Sequence, residues 1–208
     1  MTGRLVKICG LTDPGNILEV IRLRPDFIGL IFHPGSPRYV SDPEKLGFLN
    51  KLPHRPMVTG VFVDSDIARI REISRKIRLD VIQLHGSEPP AYCEELQKDN
   101  QMVIKAFGIS NGFDFQKTEP YGGLVRYFLF DNASPKFGGT GQSFDHEILS
   151  NYQGDTPFLL SGGISSEKRI FPNHRQFAGV DLNSRFETSP GIKDIDLLKT
   201  FLKSFRNE

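Results

Sequence analysis

Eight short apolar runs, rich in β-branched and aromatic residues, recur along this chain of 208 residues: LVKIC (5–9), DFIGLIF (26–32), MVTGVFV (57–63), DVIQL (80–84), MVIKAF (102–107), VRYFLF (125–130), PFLLS (157–161) and FAGVDL (177–182). Most are continuous rather than alternating, as strands are when both faces of a sheet are covered. Helix-start chemistry stands between the early ones: Thr12-Asp13-Pro14, Ser41-Asp42-Pro43, Asp64-Ser65 and Ser87-Glu88-Pro89. A capping oxygen followed by proline satisfies or removes N–H groups that a first helical turn leaves unpartnered. Strand, cap and helix repeated in this way predict an α/β fold, a (β/α)8 TIM barrel with eight parallel strands; an open doubly wound sheet shares the same local grammar. Five segments read as full helices, one after each of the first four runs and one at IKDIDLLKTFLKSF, while FDFQKTEP, FDHEILSNY and SSEKRIF read as abbreviated ones.

A chain of this length suits one domain, expected to span 1–208. With 26 Lys and Arg against 25 Asp and Glu the net charge is +1, which gives no electrostatic reason to expect nucleic acid or an anionic membrane as partner. A small molecule is the expected ligand. No apolar run approaches the about 20 residues of a membrane span, and the first residues lack the pattern of a secretion signal, so a cytoplasmic location is expected. Only 2 cysteines are present, too few for a disulfide framework.

In a parallel barrel the loops at the C-terminal strand ends build the active site. The polar residues falling there are Lys7, Cys9, His33, Asp64, Gln83, His85, Lys105, Asp131, Ser161-Gly162-Gly163, Asp181 and Asn183-Ser184. Alternation puts Lys7 and Cys9 on one face, and an ammonium beside a thiol is expected to lower its pKa toward neutrality, where a general base works. The other reading makes Cys9 a small buried hydrophobe. Asp131 ends a buried run, where a carboxyl without a cation has its pKa raised and suits a proton donor; alternatively it caps the following loop. Glycines in GGTG (138–141) and SGG (161–163), with Asn183, Ser184 and Arg185 after the last run, sit where barrels bind phosphate through backbone N–H groups. Arg38, in the proline-stiffened loop HPGSPRYV, reads either as a bidentate clamp for a carboxylate or as a surface side chain. His33, His85, Asp131 and Asp181 include metal-ligand types, but no HxH or HxxxH spacing supports a metal, and none is expected.

Taken in order, KICGLT, GLIFHPGSPRYV, GVFVD, IQLHGSE, LFDN with GGTGQSFD, LSGGI and GVDLNSRFETSPGIKD resemble the phosphoribosylanthranilate isomerase family of tryptophan biosynthesis over almost the whole chain. The resemblance implies the barrel fold and a cofactor-free Amadori rearrangement of an aminoaldose to an aminoketose. It implies Cys9 as base and Asp131 as acid, and Arg38 on the substrate carboxylate. Lys7, Gln83, His85 and Asp181 would line the mouth. The phosphate would be held at Gly162, Gly163, Asn183 and Ser184, with Arg185 beside them, and the loop carrying Gly139 and Gly141 would close over the substrate. A monomer or homodimer is expected. Three positions depart from the family pattern: Asn132, His146, and Arg185, where the family usually has glycine.

Overall fold

In the computed structural model, which describes residues 3–132, 146–166 and 171–206, the eight runs become eight strands. They are β1 (Leu5–Cys9), β2 (Phe27–Ile31), β3 (Met57–Phe62), β4 (Val81–Leu84), β5 (Met102–Ile109), β6 (Tyr127–Asn132), β7 (Phe158–Leu160) and β8 (Phe177–Leu182). They pair in parallel in chain order, and β8 returns to β1 through the register Leu5↔Gly179 and Lys7↔Asp181, so the sheet closes into a barrel. Closure is tight at that seam, because a Cβ on Gly179 would stand 2.0 Å from the Leu5 carbonyl oxygen.

The continuous runs are explained by two separate cores. Phe27, Val81, Ile104, Ala106, Leu129 and Leu159 pack against one another inside the barrel. Val6, Ile8, Ile28, Leu30, Val58, Ile82, Leu84, Phe128 and Phe130 alternate with them and pack outward against the surrounding helices. Each side chain of this size contributes about 1.5–3 kcal/mol on burial.

Four α-helices are present among the described residues: α1 (Pro14–Arg22), α2 (Ile67–Ile77), α3 (Pro90–Lys98) and α4 (Ile195–Phe205). Asp13 caps α1 by accepting from the Asn16 N–H at 2.8 Å, and Asp194 caps α4 by accepting from Asp196 and Leu197. In α2 the buried residues Ile70, Ile73 and Ile77 mark one face at helical spacing. The cap signals before α2 and α3 are displaced: Asp66 and Pro89 take the N-cap positions, and neither makes a side-chain cap bond.

The full helix expected after β2 is instead a 3₁₀ segment, Pro43–Lys51. Its buried residues Pro43, Leu46 and Leu49 recur every third position, which matches three residues per turn. The abbreviated segments Phe115–Tyr121 and His146–Asn151 are also 3₁₀, whereas most of SSEKRIF lies outside the described residues. Aromatic rings fill the space that full helices would occupy, with Phe115 and Tyr152 against Phe130 at centroid distances of 5.6 and 5.4 Å. A two-stranded antiparallel hairpin, β9 (Glu187–Ser189) with β10 (Ile192–Lys193), follows β8 and was not anticipated from the sequence. No helix among the described residues is long and apolar enough to cross a membrane.

Candidate active site

The inward faces of β1, β4, β6 and β8 change character toward their C-terminal ends. On β1, Leu5 gives way to Lys7 and Cys9; on β4, Val81 to Gln83 and then His85; on β6, Leu129 to Asp131. Asp181 lies directly beside Lys7 in the β1–β8 register. A polar layer therefore rests on an apolar plug, and the reactive groups lie at its surface.

Lys7 is wholly buried, and its Nζ donates to Asp181 Oδ2 at 3.0 Å. Burial opposes its charge, but Asp181 and Cys9 outweigh that and hold the ammonium above its ordinary pKa. Cys9 is 3 % exposed. Its sulfur occupies space left by Gly29 on the neighbouring strand, where a Cβ would approach Sγ to 2.5 Å. The expected lowering of the thiol pKa is not found. Burial pushes the Cys9 thiol up, Lys7 pulls it down, and Asp181 then pushes up again by opposing Lys7, so the net displacement is upward.

Asp131 behaves as its position predicts. Its carboxyl is held above the usual carboxylate range by loss of water, and hydrogen bonds from the Asn132 N–H and Ser161 together with the charge of Lys7 only partly offset this. The side chain keeps 30 % exposure. Gly162 has φ +81°, and a Cβ there would meet Asp131 Oδ1 at 2.7 Å. The glycine thus lets the loop after β7 close against the acid. Gly163 is also left-handed, at φ +71°.

His85 Nε2 stands 3.7 Å from Asp131 Oδ2, while its Nδ1 receives the Gln83 amide at 2.8 Å. With the amide nitrogen donating, the ring carries its proton on Nε2, facing the acid. Burial lowers the His85 pKa to about 4, helped by Lys7, so the ring is neutral at physiological pH. Gln83 Oε1, Thr59 Oγ1 and Asp181 Oδ1 are buried with no protein hydrogen-bond partner among the described residues.

Arg38 is buried at 8 % exposure, which removes the surface reading. Its guanidinium already grips a carboxylate of this chain: Nε donates to Glu187 Oε1 at 2.9 Å and Nη2 to Oε2 at 2.6 Å. Lys193 Nζ donates to the same Glu187 Oε1 at 2.6 Å and to Asn183 Oδ1 at 2.9 Å. Burial works against the Glu187 charge, yet the two cations prevail and hold its carboxyl below the usual range. Sequence reading missed Glu187 and Lys193, whose only signal was their place in SRFETSPGIKD, on the hairpin beyond β8.

Lys105, expected among the mouth residues, points out of the barrel, since its neighbours Ile104 and Ala106 face inward. There its Nζ donates to the Gly86 carbonyl at 2.6 Å and to Glu88 at 3.0 Å. Ser184 and Arg185 begin a 3₁₀ turn, and Arg185 is exposed. Gly139 and Gly141 lie outside the described residues. Among the described residues no group of three or more His, Cys, Asp or Glu is placed to hold a metal ion.

The family model described as N-(5'phosphoribosyl)anthranilate (PRA) isomerase matches residues 6–204. An N-(5'-phosphoribosyl)anthranilate isomerase of Parabacteroides distasonis is 46 % identical, the match covering 96 % of this chain and 92 % of the relative. The crystal structure of phosphoribosyl anthranilate isomerase from Thermotoga maritima superposes with a TM-score of 0.84 at 32 % identity, over 99 % of this chain and 100 % of that one. A phosphoribosyl anthranilate isomerase in complex with reduced 1-(o-carboxyphenylamino)-1-deoxyribulose 5-phosphate gives 0.80 at 30 % identity, over 99 % of this chain and 100 % of that one. With a closed eight-stranded barrel, a cysteine and an aspartate at its mouth and these matches over nearly its full length, the chain belongs to the N-(5'-phosphoribosyl)anthranilate isomerase family.

Proposed function

We propose that this chain isomerises N-(5'-phosphoribosyl)anthranilate to 1-(2-carboxyphenylamino)-1-deoxyribulose 5-phosphate in tryptophan biosynthesis, with Asp131 as general acid and Cys9 as general base. The observation that carries the assignment of roles is the pair of inward-facing groups on β1 and β6, one a carboxyl biased toward its protonated form, the other a thiol beside an ammonium. Asp131 gives its proton to the furanose ring oxygen as the C–O bond breaks, and the aryl nitrogen lone pair forms the C1=N iminium. The Cys9 thiolate then takes the proton from C2, whose electrons flow into the iminium to give an enolamine. Loss of the enol proton and protonation at C1 complete the ketone, with no net gain or loss of protons.

A raised thiol pKa means that little thiolate exists in the ligand-free barrel, so the base must be formed in the complex. A cationic iminium next to Sγ acts in that direction, and Lys7 is in place to add to it. Gly162, Gly163, Asn183 and Ser184 are proposed to hold the phosphate, with Arg185 and the loop bearing Gly139 and Gly141 beside them. Arg38 is proposed to take the anthranilate carboxylate, and Lys7, Gln83, His85 and Asp181 to line the site. The reaction as written needs no cofactor. A relative from Thermotoga maritima is described as dimeric; light scattering distinguishes monomer from homodimer here, and a cytoplasmic site of action is proposed alongside.

Turnover is measured by loss of substrate fluorescence, against little background from a chain with no tryptophan. Folded protein that leaves phosphoribosylanthranilate unchanged at neutral pH defeats the proposal.

A further inference from the structure

We propose that Glu187 is a positioning residue that fixes the Arg38 guanidinium for the substrate carboxylate, and that with Lys193 it forms a bracket joining the carboxylate end of the site to its phosphate end. The proposal rests on Arg38 being the carboxylate clamp. Glu187 occupies the Nε and Nη2 edge of the guanidinium and leaves Nη1 with no partner among the described residues. Arginine has five donors in a fixed fork, so a second carboxylate can be taken end-on through Nη1 and the remaining Nη2 proton. A long side chain held along one edge loses no further rotamer freedom when a ligand docks on the other.

Charge supports the same assignment. One carboxylate lies between two cations, Arg38 and Lys193, so the buried trio carries one surplus positive charge. A ligand carboxylate on Arg38 would balance it, in surroundings where an unbalanced charge is costly. The trio is also mechanically braced. The Gly191 N–H donates to Glu187 Oε1 at 3.3 Å, and the Lys193 backbone exchanges two hydrogen bonds with the Asn16 side chain on α1, at 2.7 and 2.9 Å. Through Nζ, Lys193 holds Asn183 in the loop after β8, where phosphate is proposed to bind. The hairpin β9–β10 thereby anchors both recognition ends.

The test uses two stable ligands: the reduced, ring-opened product analogue, an N-(2-carboxyphenyl)-1-amino-1-deoxypentitol 5-phosphate, and its counterpart lacking the ring carboxylate. Calorimetry measures both on the full chain and on Glu187→Gln, which keeps shape and removes charge. Preference for the carboxylate-bearing ligand is expected to fall about tenfold in Glu187→Gln, with affinity for the other ligand changed less than about twofold. Glu187→Asp is expected to recover part of the lost preference. Equal weakening toward both ligands would indicate a merely structural role and overturn the proposal. So would an unchanged or increased preference in Glu187→Gln, or no preference in the unsubstituted chain. Absence of turnover alongside the expected binding pattern would instead defeat the isomerase reading and leave the bracket standing.

Discussion

Of the three lysines almost completely buried among the described residues, Lys7 and Lys105 each hold Nζ 3.0 Å from a carboxylate, and they do opposite work. Lys105 and Glu88 sit outside the sheet under the loop after β4, where every polar neighbour is engaged. Glu88 accepts from the N–H groups of Asp64 and Gly86, Lys105 donates to the Gly86 carbonyl, and Tyr121 donates to the Glu88 carbonyl. Lys7 and Asp181 sit inside, and one Asp181 oxygen has no protein hydrogen-bond partner among the described residues. A saturated pair can only hold structure in place. An unsaturated pair beside a thiol can respond to a ligand, and this difference makes one end of the barrel reactive.

The sharpest way to break that comparison is to remove the groups the unsaturated pair is proposed to serve. Cys9→Ala and Asp131→Asn are each expected to lower kcat at least about 100-fold while the thermal midpoint changes little; near-normal turnover in either variant removes that residue from the mechanism. Next come the pairs themselves. Lys105→Met is expected to cost about 3–5 kcal/mol of stability, because it removes one partner of a buried pair whose other member is fixed by backbone N–H bonds. Lys7→Met is expected to cost about 1–3 kcal/mol, since Asp181, whose carboxyl burial already holds above its usual range, can take up a proton. Urea titration of both variants decides; equal losses would erase the distinction.

A smaller effect concerns the thiol. Asp181 raises the Cys9 pKa and also opposes Lys7, so Asp181→Asn is expected to lower it. The pH dependence of Cys9 alkylation reads this directly in a Cys93→Ala background, since the buried Cys93 thiol is pushed up to about 11. An upward or absent shift contradicts the electrostatic account. The smallest expected effect is none: with His85 titrating at about 4, kcat/KM has no inflection near the usual histidine value of about 6.5. An inflection there that vanishes in His85→Gln would show that the ring is exposed to water during turnover. With the Asp131 carboxyl and the Cys9 thiol both held above their ordinary values, the gain in thiolate as pH rises opposes the loss of protonated Asp131.

Much of this was legible in the chain, and particular residues show where legibility ends. The barrel could be read because continuous runs such as VIQL and FLLS are needed where both faces of a strand are buried. The alignment of Lys7 with Cys9 followed from alternation alone. The magnitude of burial did not follow, so the sign of the Cys9 shift was missed: a cation can be read from the sequence, whereas the loss of water around sulfur and the carboxylate across the β1–β8 seam cannot. Arg38 and Glu187 are separated by 149 positions, and no local pattern links them. Lys105 misled because it occupies the right strand with the wrong parity. The 3₁₀ turn after β2 shows a three-residue repeat of buried positions that, in hindsight, distinguishes Leu46 and Leu49 from a helical stripe.

Gly10 has φ +79°, and a Cβ there would stand 2.6 Å from both the Arg38 Cδ and the Asn183 Oδ1. For anyone recoding this barrel, the consequence concerns which positions are free to vary. One added methyl next to the proposed base would displace the side chains assigned to the carboxylate and to the phosphate together, so a library at position 10 should collapse to glycine under selection for turnover. Changes of ligand specificity must then be sought on the hairpin side of the bracket, where Glu187 and Lys193 can be altered without touching the backbone that carries the thiol.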